Sequence, residues 1–166
     1  MSPPRGSRPT LFPAIPTDAF TRDELKEVME GIYGRGDRIM RVVVLLHLVV
    51  ALLLAFHYST WFATLTVGPA AAAMFFISAA FLPRSFFTRC VAGVSLQTFV
   101  ALHIFQLHGL AEMHFFFFTA FTVMILYQDW RSMWLGTVLI IGQHTLFAVL
   151  HNSGVQLFFL RIRTSA

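Results

Sequence analysis

Residues 39–56, IMRVVVLLHLVVALLLAF, decide how the rest of the chain is read. The run is almost wholly apolar, with Arg41 near its start and His47 in its middle. It has the length of about 17–25 residues that a helix needs to cross a hydrocarbon core roughly 30 Å thick. Working outward, four more segments have the same character: 66–82, 90–107, 115–127 and 133–150. The fourth is the shortest and must borrow residues from its flanks. A last apolar stretch, 155–162, is too short to span and is expected at the interface or against a partner. These segments predict an all-α, polytopic integral membrane helix bundle of about five transmembrane helices. Three regions follow: a Pro-rich tail with an amphipathic helix (1–38), the bundle (39–151) and a short interfacial tail (152–166).

Composition agrees. The chain is 57% apolar and 12% charged, with mean hydropathy +0.70, where a soluble domain carries about 25% charged residues. An ordinary soluble enzyme and a disordered chain are both excluded. Cys90 is the sole cysteine, so no disulfide scaffold can form within the chain.

The charges are concentrated at one end. Six of the eight acids and seven of the twelve bases lie in the first 41 residues. Mixed signs there describe a tail beside a membrane and not a nucleic-acid face. Pro3, Pro4, Pro9, Pro13 and Pro16 make its beginning extended chain. Thr21-Arg22-Asp23-Glu24 has the form of a capping box and predicts an amphipathic helix over 21–33. Leu25, Val28, Met29 and Ile32, with Phe20 before them, give it one apolar side. That side suits either an interfacial position or docking on a partner. Gly31, Gly34 and Gly36 are expected to loosen the chain before the membrane. No secretory signal peptide is expected, because the first apolar run begins late and lacks a small-residue cleavage site.

Lys/Arg bias in the loops sets orientation. With the N-terminus in the cytoplasm, ten of the twelve bases are inside, including Arg84, Arg89 and Arg131. Residues 57–65 and 108–114, the outer loops, carry none. Asp129-Trp130-Arg131, flanked by Tyr127 and Trp134, falls in a tight inner turn and reads as an interfacial anchor: an Asp/Arg pair with aromatic neighbours.

Seven histidines stand in or beside the apolar segments. His57, His108, His114 and His151 fall near the outer boundary with Glu112. His103 lies about 7–8 Å below it and His144 about 10 Å below, at 1.5 Å rise per residue. Three readings remain open. The histidines are single polar residues packed against backbone, or ligands of zinc or copper together with Glu112, or a bis-imidazole b-type haem pair from His103 and His144. The candidate ligand set is His103, His108, Glu112, His114, His144 and His151. No phosphate loop, dinucleotide fingerprint or nucleophile elbow occurs, so no enzyme is expected.

His108-Gly109-Leu110-Ala111-Glu112-Met113-His114-Phe115, then Tyr127-Gln128-Asp129-Trp130-Arg131, then His144, resembles a multi-span sensor module. That module stands at the N-terminus of some bacterial histidine kinases, chemoreceptors and diguanylate cyclases. The resemblance covers about residues 36–152. Phe105 and Gln143 stand where the family commonly has further histidines, and no output domain is expected to follow. The resemblance implies a bacterial inner-membrane input domain in which Glu112, His114 and His144 are ligand or signal residues. The expectation is a non-enzymatic accessory subunit of a larger membrane assembly, for example a photosynthetic or respiratory one, adapted from such a module. Its partners would be integral membrane subunits and the lipid bilayer, with lipid or pigment tails against its Phe-rich helices and no nucleic acid. The alternative is a metal- or haem-binding redox sensor acting on a separate output protein.

Overall fold

Thr21 caps the first helix as its sequence predicts. Its hydroxyl accepts the Glu24 backbone N–H at 3.3 Å, and its own N–H donates to the Glu24 carboxylate at 2.8 Å. Two donors that a helix start leaves unpaired are thus satisfied. The Thr21 backbone N–H, and after it the hydroxyl, hold the Glu24 carboxyl below its ordinary value. A carboxyl lowered by folding stabilises the cap above its unfolded pKa and loses that contribution as pH falls through the folded one. Acidification should therefore unwind the first turn. NMR Cα shifts of residues 21–25 should follow the Glu24 titration, and the Glu24→Gln variant should lack that step.

In the computed structural model, residues 21–108 and 115–152 are described, and they form five α-helices. They are α1 (Arg22–Tyr58), α2 (Trp61–Phe81), α3 (Phe86–Gln106), α4 (Phe116–Met124) and α5 (Arg131–Asn152). A 3-10 turn, Ile125–Tyr127, continues α4. No strand occurs among the described residues. Phe20, Glu112 and His114 lie outside them.

α1 differs from the expected helix, glycine break and span. It runs unbroken for 37 residues through Gly31, Gly34 and Gly36, a length of about 55 Å. Each glycine costs about 1 kcal/mol in a helix interior. Continuity is favoured because Gly36, Asp37 and Met40 are buried against the bundle, and a broken helix would forfeit both that packing and its backbone hydrogen bonds.

α1, α2 and α3 are each long and apolar enough to cross a membrane. α4 with its 3-10 turn (Phe116–Tyr127) is a shorter apolar helix, about 20 Å long. α5 has 22 residues. α3 is central and packs on α1, α2, α4 and α5. Its apolar window is 72% buried within the bundle, against 39% for α2 and 22% for α1. Small residues permit this crowding. A Cβ on Gly136 of α5 would lie 3.5 Å from the Gly93 carbonyl oxygen of α3, and Ser95 donates to the Ala71 carbonyl of α2 at 2.9 Å. The core gathers Met40, Val44, Phe75, Leu96, Phe99 and Met124.

Candidate functional site

Polar side chains inside the bundle are few, so where they meet is informative. They gather mainly in two clusters, one toward each end of α3, with Ser95 and Gln97 between them.

The first cluster closes the end where α2 turns into α3 and α4 into α5. Asp37 of α1 is 3% exposed. It accepts the Tyr127 hydroxyl at 2.9 Å and the Arg84 backbone N–H at 2.9 Å. Arg89 of α3 donates from Nε and Nη2 to one Asp129 oxygen, at 3.1 and 2.8 Å, and from Nη1 to the Arg84 carbonyl at 2.9 Å. Its guanidinium lies 3.8 Å above the Tyr33 ring. Four elements are tied together here, and the carboxylates of Asp37 and Asp129 each accept hydrogen bonds. The Asp/Arg pair read from the sequence paired Asp129 with Arg131, its near neighbour. In the structure Asp129 bonds Arg89 across 40 positions, and Arg131 supplies only its backbone N–H, at 3.2 Å. Tyr127 is buried, whereas Trp130 is exposed and meets Trp134 edge to face at 6.3 Å. Arg35, Arg38, Arg41 and Arg84 surround an adjacent basin of about 470 Å3 that also includes Glu30.

The second cluster lies between α1, α2 and α3, toward the other end. His47 Nδ1 and His103 Nε2 are 3.0 Å apart. The rings are inclined by 22° with centroids 5.2 Å apart, so they meet edge to edge. His103 Nδ1 is 3.2 Å from Gln106 Oε1. Gln106 Nε2 donates to the Ala51 carbonyl and to Thr64 Oγ1, each at 2.8 Å, and Thr64 donates to the Thr60 carbonyl at 2.9 Å. His103 and Gln106 are buried and His47 is half-buried.

The sequence-derived ligand set is distributed differently. His103 meets His47, Gln106 and Phe99, not His144. His144 is exposed on α5, with Nδ1 2.9 Å from the Ile140 carbonyl and its ring edge-on to Phe117. His108 has φ 56° and faces the Tyr58 ring at 5.4 Å. Of His151 the backbone alone, in the last turn of α5, is described. Among the described residues no three His, Cys, Asp or Glu side chains are placed to hold a metal ion.

Sequence reasoning missed Asp37, Arg89, Gln106 and the role of His47. Asp37 and Arg89 were read as flank charges. The His103/Gln106 spacing of three, which places both on one helix face, was a usable signal.

The chain matches no known protein family, no curated protein and no solved structure in sequence or fold comparison. What fold and site define is a class: an all-helical protein with three helices able to cross a membrane by length and composition, tied internally by two buried polar clusters.

Proposed function

We propose that this protein is a non-enzymatic accessory subunit of a larger membrane assembly, for example a photosynthetic or respiratory one, built as a five-span sensor-type module with its N-terminus in the cytoplasm. The observation that carries this reading is α1. Its apolar window is only 22% buried within the bundle, and Val42, Leu46, Leu53 and Phe56 are exposed along it. Water does not tolerate such a face on a monomer, whereas lipid or neighbouring helices cover it. α1 also exceeds what the bilayer accounts for. At about 55 Å it is longer than the roughly 30 Å hydrocarbon core, and its first turns carry exposed Leu25 and Val28 with half-buried Met29 and Ile32. An apolar stripe beyond the membrane segment is a handle for a partner.

Orientation is supported by the same geometry. The basin of Arg35, Arg38, Arg41 and Arg84 shares its end of the bundle with Arg89 and Arg131, while residues 57–65 at the opposite end hold no lysine or arginine. That asymmetry is the cytoplasmic signature of a multi-span protein.

Extraction in a gentle detergent tests the proposal. The protein should migrate in one particle with other integral membrane proteins at constant stoichiometry. Leu25→Glu with Val28→Glu should release it while leaving its melting midpoint unchanged. Recovery of the wild-type chain as a free monomer would sink the reading.

A further inference from the structure

The second polar cluster has a direction, fixed where Gln106 meets a group that can only accept. The Ala51 carbonyl takes a hydrogen bond from Gln106, so the amide NH2 must face Ala51 and Thr64. The amide oxygen therefore faces His103 Nδ1, which must carry the proton. Neutral His103 is then bare at Nε2, and the proton in its bond to His47 belongs to His47 Nδ1. A neutral imidazole holds one N–H. His47 Nε2 is consequently a bare lone pair, with no hydrogen bond to the described residues.

His47 lines a cavity of about 250 Å3 between α1 and α4, floored by α3. Leu46, Val50, Val100, Phe116 and Val123 form most of its wall. Leu46, Val50 and Phe116 are exposed on the lateral face, so the cavity opens toward the bilayer side. Among the described residues the two histidines are the only titratable groups on the wall, so none of them supplies a carboxylate to compensate a cation. Besides the histidines, Thr119 is the one polar side chain among the described residues of the wall, so the surface is mainly apolar. The volume exceeds the roughly 150 Å3 apolar cavity that admits benzene and falls short of the ~300–1,000 Å3 of sites for larger ligands.

We propose that this cavity binds the headgroup of a neutral, lipid-soluble molecule carrying a hydroxyl on a single six-membered ring, a phenol or hydroquinone, whose hydroxyl donates to His47 Nε2. Gln106 and His103 are positioning residues: they set the tautomer that presents the lone pair. The ring fills the apolar walls and an alkyl tail leaves past Leu46 and Val50 into lipid.

The test uses the purified full chain in lipid nanodiscs with an alkyl hydroquinone and its dimethyl ether as probes. The hydroquinone should bind saturably, and the ether, which lacks the donor, about tenfold more weakly or worse, as expected for loss of one hydrogen bond. A tail-less hydroquinone should bind more weakly than the alkyl form, which assigns the ligand to the bilayer. His47→Phe should abolish the preference for hydroquinone over ether. Val50→Trp, a change at an exposed position, should block both probes without unfolding the bundle. Histidine 15N shifts give a readout independent of affinity. Nδ1 should be protonated in both His47 and His103, and the His47 Nε2 signal should move when hydroquinone is added. Equal affinity for hydroquinone and ether, unchanged binding by Val50→Trp, or a His47 protonated at Nε2 would overturn the assignment.

Discussion

Arg89→Met is expected to destabilise the bundle by about 3–5 kcal/mol, because it removes one partner of a buried ion pair. The side chains of Arg89 and Asp129 are 7% and 13% exposed, so little water reaches the carboxylate left behind. Asp129 would keep only the Arg131 N–H, at 3.2 Å, and the Arg84 carbonyl would lose its donor. Arg89→Lys should recover only part of the loss. An ammonium supplies charge but lacks the planar fork that bonds Asp129 twice while lying over Tyr33. Arg89→Met combined with Asp129→Asn should cost less than the sum of the two single changes, since the double variant buries no lone charge. Thermal unfolding in detergent, read as a double-mutant cycle, measures this. Single variants that cost below about 1 kcal/mol would show a pair screened like one at a surface.

Gly36→Ala and Gly31→Ala should have opposite signs, although both replace glycine by a better helix former in one helix. A Cβ at Gly36 would lie 2.6 Å from two carbons of the Tyr127 ring. That ring cannot turn aside cheaply, because it is buried and its hydroxyl is bonded to Asp37 at 2.9 Å. The alanine therefore displaces Tyr127 and breaks the bond, at about 1–3 kcal/mol for overpacking. At Gly31 nothing lies within 4 Å of the added Cβ, so helix propensity acts alone and stabilises by about 0.5–1 kcal/mol. Melting midpoints of the two variants should move apart. Loss of stability at both positions would point to a role for helix flexibility; gain at both would mean that Tyr127 relaxes freely.

These predictions mark where the sequence was legible. The capping box at Thr21 and Glu24 reads directly, because both hydrogen bonds join residues three apart and depend only on local chain geometry. The apolar runs likewise predict the positions of α2 and α3. The glycines of α1 did not read correctly. Three glycines in six positions look like a flexible joint, and only the Tyr127 ring, 91 positions away from Gly36, reveals that one of them is a contact surface. Asp129 was paired with its sequence neighbour for the same reason.

The histidines divide along similar lines. Their number and their place in or beside apolar segments were visible. His47 lay in the most apolar run of the chain and carried no further sign. The site depends on α1 and α3 bringing His47 and His103 edge to edge at 3.0 Å, 56 positions apart. No local pattern encodes that distance.

By itself, the sequence determined the class: an all-helical chain with helices apolar enough for a membrane, and a charged segment set apart at one end. Hydropathy and helix capping are properties of neighbouring residues, so they survive without the fold. The tertiary structure alone decided which few polar groups answer one another. Inside an apolar bundle each buried donor or charge must find its partner wherever the helices cross. Those crossings place Arg89 on Asp129, Tyr127 on Gly36 and Asp37, and His47 on His103.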